Sequence, residues 1–81
     1  MKKLTKAQYD ILICIKDYID THGFSPTYRE IAELTQRASI STIYNHIRLL
    51  IKKGYITMQS ASPRTIQIIV SFNETNIMFK P

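Results

Sequence analysis

Three helix-start signals stand between residues 5 and 39 of this chain, and they leave little choice about how its first half folds. Thr5-Lys-Ala-Gln8 and Thr27-Tyr-Arg-Glu30 both have the capping-box pattern. The threonine hydroxyl can accept from the third amide of the helix, and the Gln or Glu side chain can reach back to the cap. Ser39 is a third cap, and its helix runs until Gly54. Gly23 supplies a stop for the first helix, and Phe24-Ser25-Pro26 imposes an extended connection, because proline biases the preceding residue away from helix. A turn is required at about Thr35 to Ala38. The predicted helices cover roughly 6–22, 28–34 and 40–53.

Side-chain periodicity says which faces these helices bury. Ala7, Ile11, Cys14, Ile15, Tyr18 and Ile19 recur at three- and four-residue steps and form the expected stripe of the first helix, with Leu4 stapled onto Tyr9. Ile31 and Leu34 are the expected inward positions of the second helix. After Gly54 the pattern changes. Tyr55–Gln59 and Thr65–Val70 are β-prone and partly alternating, separated by Ser-Ala-Ser-Pro-Arg, which predicts a hairpin. In residues 71–81, Asn73-Glu-Thr-Asn76 is a turn signal before Ile77-Met-Phe79, consistent with a third short strand. The expected architecture is α+β and mainly α, a winged helix-turn-helix over residues 1–70 with a C-terminal tail over 71–81 that adds a strand or a dimer contact.

An 81-residue chain has room for a single modest core. Its one cysteine, Cys14, cannot form an internal disulfide, and no Cys/His group has zinc-ligand spacing, so packing must supply the stability and no metal or cofactor is expected. Cys14 repeats with the core positions and reads as a small buried hydrophobe. There is no signal-peptide pattern and no apolar run long enough to span a membrane, so a cytoplasmic protein is expected.

The net charge of +5 is unevenly spread. Asp10, Asp17, Asp20, Glu30 and Glu33 all precede Ser39, whereas from Leu34 to Phe72 the charged residues are Arg37, Arg48, Lys52, Lys53 and Arg64, with no acid among them. A polyanion suits that segment as well as a plain solvated basic face does.

The third helix separates these alternatives. At about 100° per residue, Ser41, Tyr44, Asn45, Arg48 and Lys52 share one face, and Ile43, Ile47 and Leu50 lie opposite. The helix is thus pinned by its back. Its front has what a major-groove reader needs. Asn45 can pair with adenine, Arg48 can meet guanine or phosphate, Ser41 and Thr42 are short donors, and Tyr44 can touch a thymine methyl or a phosphate. Lys52 adds charge at its far end, and Arg64, beside Pro63 at the predicted wing tip, could reach phosphate or the minor groove. Lys2, Lys3 and Lys6 could add backbone contacts without sequence information.

From about Leu4 to Ile69 the sequence resembles the N-terminal DNA-binding domain of LexA repressors. The resemblance is carried by Leu4-Thr5, His22 through Thr27, Arg29-Glu30-Ile31, Ala38-Ser39, Ser41-Thr42-Ile43, His46, Lys53-Gly54-Tyr55-Ile56, and Pro63-Arg64 with Ile66 and Ile68. Ser41-Thr42-Ile43 with His46 is most similar to the Gram-positive branch. The resemblance implies that the third helix enters the major groove while the wing follows the backbone, and it puts Ser39, Ser41, Thr42, Tyr44 and Asn45 at the base and phosphate contacts. Departures are Tyr44 and Asn45 themselves, Gln36 in place of the glycine usual in the turn, and Arg37 after it. The family's second domain dimerises and cleaves itself at an Ala-Gly bond; with neither that domain nor an Ala-Gly pair in these residues, self-cleavage is not expected.

Other residues carry plainer readings. His46 lies between the groove face and the core and is expected to be structural, since no nucleophile or acid clearly pairs with it. His22 is expected to help cap the first helix. Tyr9 and Ile13 fall off the main stripe of that helix as an exposed apolar pair, which suggests a contact with the tail or a homodimer surface, and Ile77, Met78 and Phe79 offer a second route to self-association. The function expected is a sequence-specific regulator of double-stranded DNA, a repressor; the alternative is a winged-helix protein-binding module acting as an inhibitor or partner of another regulator. No enzyme motif is present.

Overall fold

The computed structural model describes residues 4–37, 39–59 and 62–69. Three helices come first, α1 at Lys6–His22, α2 at Tyr28–Thr35 and α3 at Ile40–Lys52. Strand β1 at Ile56–Thr57 and strand β2 at Gln67–Ile68 then pair antiparallel, with Ile56 opposite Ile68 and Thr57 opposite Gln67. A short 3-10 turn at Pro63–Thr65 precedes β2. This is the three-helix and wing arrangement that the sequence predicts.

Local chemistry accounts for each boundary. The Thr5 and Thr27 hydroxyls accept from the Gln8 and Glu30 amides, and the Gln8 and Glu30 side chains accept in return from the Thr5 and Thr27 amides, so both capping boxes are closed. Ser39 caps α3 through the Thr42 amide at 3.1 Å. At the other ends, Gly23 and Gly54 take the left-handed conformation that glycine tolerates, with φ of 85° and 86°. The Tyr55 amide donates to the Leu50 carbonyl and the Gly54 amide to the Ile51 carbonyl, which is the Schellman arrangement. Helix α2 closes the same way, the Arg37 amide on Ala32 and the Gln36 amide on Glu33, with Gln36 at φ 58° where glycine was expected.

The core is a single cluster of Leu4, Ile11, Leu12, Ile15, Ile31, Ile43, Ile47, Leu50, Tyr55, Ile56 and Ile66. It differs from the expected pattern in α1, whose buried residues are Gln8, Ile11, Leu12 and Ile15. The buried stripe is turned toward Leu12, so Tyr9 is half-buried against the core and Ile13 is also half-buried. They are not the exposed pair the sequence suggested. Leu34 is another correction. It is 60% exposed, while Tyr28 and Ala32 pack beside Ile31, because an eight-residue helix touching α1 and α3 shows the core little more than one edge. The strands are also shorter than Tyr55–Gln59 and Thr65–Val70. Residues 63–65 turn as a 3-10 helix, and Thr65 Oγ1 accepts from the Gln59 amide at 2.8 Å where a longer ladder would have run. The expected third strand and tail contact fall on residues 71–81, outside the described residues.

Candidate nucleic-acid interface

Helix α3 is held from behind by Ile43, Ile47 and Leu50, each fully buried. At its start the Ser39 Oγ lies 3.2 Å from the Ser41 hydroxyl and 2.9 Å from the Thr42 hydroxyl, so three hydroxyls gather at the positive end of the helix dipole. Ser39 is half-buried, and Ser41, Thr42, Tyr44, Asn45, Arg48 and Lys52 are all exposed. The expected outward face is therefore brought together on one rigid element. Lys53 is not part of it. Its Nζ donates to Gln8 Oε1 at 2.6 Å and ties the end of α3 to the start of α1.

Tyr44 has structural company. Its ring meets Tyr28 edge-on with centroids 5.9 Å apart, and the Arg48 guanidinium lies 5.8 Å from the Tyr44 ring centroid. Tyr28 in turn donates its hydroxyl to the Met58 sulfur, a link from α2 to the wing. Tyr28 was missed in the sequence because it reads simply as the first residue of a capped helix. Leu49 was missed too; it is 42% exposed and lines a shallow cleft with Asn45, Arg48 and Lys52.

The turn between α2 and α3 is fastened to α1. Arg37 pairs with Asp10 at 3.1 Å, and Asp10 also pairs with Lys6 at 2.8 Å; the Lys6 hydrogen bond does most to hold the Asp10 carboxyl below its usual range, with Arg37 assisting. Behind the turn, Arg37 Nε and His46 Nδ1 are buried without a hydrogen-bond partner among the described residues. Burial, then the Arg37 charge, pushes the His46 imidazole below its ordinary pKa, which fits a neutral, structural histidine.

Two other expectations change. His22 does not do the capping, which falls to the Gly23 amide on the Ile19 carbonyl; the His22 ring stacks 4.1 Å from Tyr18 instead. Arg64 is not an arm extended from the wing tip. The 3-10 turn points it back at α2, where it pairs with Glu30 at 3.2 Å. Cys14 packs half-buried against the core, and burial raises its thiol pKa.

A short helix, a left-handed turn, a capped helix with an acid-free outer face and a following hairpin define the class as a winged helix-turn-helix. A family model described as LexA DNA binding domain matches residues 1–65. The chain belongs to this family. It is 44% identical over 69 residues to a LexA repressor of Shouchella clausii, covering 85% of this chain and 33% of the relative. It is 40% identical over 77 residues to that of Staphylococcus aureus, covering 95% and 37%. A Caldicellulosiruptor saccharolyticus LexA repressor is 46% identical over 68 residues, covering 84% and 34%. The chain thus spans about a third of the length of these relatives. No helix among the described residues is long and apolar enough to cross a membrane.

Proposed function

We propose that this chain is a sequence-specific binder of double-stranded DNA that acts as a transcriptional repressor, with α3 in the major groove. The observation that carries the reading is the outer face of α3. Ser41, Thr42, Tyr44, Asn45, Arg48 and Lys52 are exposed together, with no acid on the helix and a buried back that fixes its orientation. Asn45 and Arg48 are the base readers, able to pair in bidentate fashion with adenine and guanine. Ser39, Ser41 and Thr42 offer hydroxyls to phosphate at the helix start, Tyr44 contacts a thymine methyl or a phosphate, and Lys52 adds a backbone charge.

One module of this size covers limited DNA surface, so tight binding requires two copies on half-sites about 34 Å apart. Such a partner would keep the protein with cytoplasmic DNA. Little speaks for the protein-binding alternative: Tyr9 and Ile13 are half-buried, and the turn at Gln36 closes in regular fashion.

The test is an anisotropy titration on duplexes selected from a random pool and on unselected duplexes. Asn45→Ala with Arg48→Ala should erase the preference for selected DNA, a loss on the order of a hundredfold or more. Equal binding by that variant would defeat the groove assignment.

A further inference from the structure

Arg64, expected at the DNA, instead meets an acid of its own chain at a junction of three elements. Glu30 Oε1 accepts from the Thr27 amide at 2.8 Å, closing the α2 cap, and lies 3.2 Å from Arg64 Nη1. Glu30 Oε2 accepts from the Tyr18 hydroxyl of α1 at 3.2 Å and from Arg64 Nη2 at 3.3 Å. Arg64 Nη1 also donates to the Ser25 carbonyl at 3.1 Å and to the Tyr18 oxygen at 3.4 Å, and the guanidinium lies 4.7 Å from the Phe24 ring centroid. Two residues on, the Ile66 amide donates to the Ser25 hydroxyl, in a residue only 1% exposed.

The wing needs such an anchor. Its strands are two residues each, far short of what holds a hairpin in place unaided. A single exposed ion pair contributes little, but this one is a two-pronged fork shared with a helix cap, a tyrosine and a carbonyl. The Thr27 amide, with Tyr18 and Arg64, holds the Glu30 carboxyl below its usual range and so keeps it charged.

We infer that Arg64 is a positioning residue, clasping Glu30 to set where the wing stands beside α3, and that it does not contact phosphate. The inference rests on the DNA-binding reading above. The clasp couples the start of α2 to the wing, so loosening either partner frees the wing while leaving α3 in place.

Binding of the full chain to a selected duplex should be measured against salt for Arg64→Met, Glu30→Gln and the double variant. Glutamine keeps the cap and removes only the charge that holds Arg64. Each single variant should weaken binding by roughly three- to tenfold, and the double variant should be no weaker than the poorer single one. The salt slope should not change, and hydroxyl-radical protection should be lost at the flanks of the site while its centre stays protected. Were Arg64 a phosphate contact, Arg64→Met would flatten the slope by about 0.9, and Glu30→Gln, which frees the guanidinium, would leave binding unchanged or tighter. Either result overturns the inference, as does a uniform loss of protection. Tyr18→Phe, which keeps the ring and removes the shared hydroxyl, should show a smaller loss confined to the same flanks, and decides the matter if a charge variant does not fold. Failure of the unchanged chain to enrich any duplex would overturn the DNA-binding reading together with the clasp, and is told apart because it appears before any substitution.

Discussion

The α1–α2 half and the α3 face carry charge in opposite ways. On α1 and α2 three of the five acids pair with cations of the chain itself: Asp10 with Lys6 and Arg37, Asp20 with Lys16, and Glu30 with Arg64. On α3 there is no acid, and Arg48 and Lys52 make no ion pair among the described residues. A net positive total alone would not distinguish these halves. Where the acids are placed does, since cations neutralised within the fold have less to offer a polyanion than cations left facing water. Arg37, Lys53 and Arg64 lie in the acid-free stretch of sequence, yet each reaches back to the first half, to Asp10, Gln8 and Glu30.

The contrast breaks most sharply if an acid is placed on the empty face. Arg48→Glu should reduce affinity for every duplex, selected or not, by on the order of a hundredfold or more, as read by anisotropy at fixed salt. The fold should survive, because Arg48 is exposed and makes no ion pair among the described residues. Removing the cap is the next largest effect. Ser39→Ala leaves the Thr42 amide without its side-chain acceptor and should cost about 1 kcal/mol in urea unfolding, together with the hydroxyl cluster at the helix start.

Acidification sharpens the comparison from the other side. His46 has a folded pKa below its ordinary value of about 6.5, so the unfolded chain binds the proton more tightly. Its contribution is complete above that value and is lost as pH falls below it and through the lower folded pKa. Asp10 and Glu30, also lowered, contribute above their ordinary values and lose that contribution as pH falls further, below about 4.5. Stability followed by thermal melting should therefore decline in two stages, and His46→Gln should remove the first alone. The smallest effect concerns the turn. Gln36 sits in the left-handed region with a side chain, so Gln36→Gly should stabilise the chain by roughly 0.5–1 kcal/mol, provided the Schellman bonds persist.

Helix starts and stops could be read directly from the chain because caps are local. Thr5, Thr27, Ser39, Gly23 and Gly54 act on amides and carbonyls a few residues away, and all of them do so here. The buried back and polar front of α3 were equally legible, since a 13-residue helix pinned along Ile43, Ile47 and Leu50 leaves its opposite side no alternative to solvent. What remained hidden depends on contacts far apart in sequence. Leu34 has the right spacing to be core, but the neighbouring helices come down on Ile31 and Ala32. The wing residues had β propensity over longer runs than the two pairs that form, because β pairing is settled by where the strands meet the core. Arg64 shows the limit most clearly. Its residue type and its place beside Pro63 suit a phosphate contact, and only the approach of Glu30, 34 positions earlier, gives its guanidinium an acid of its own chain to pair with. Local hydrogen-bond chemistry and helical periodicity are written in short windows of sequence, whereas the partner of a long, flexible cation depends on how the packed helices bring distant acids within reach.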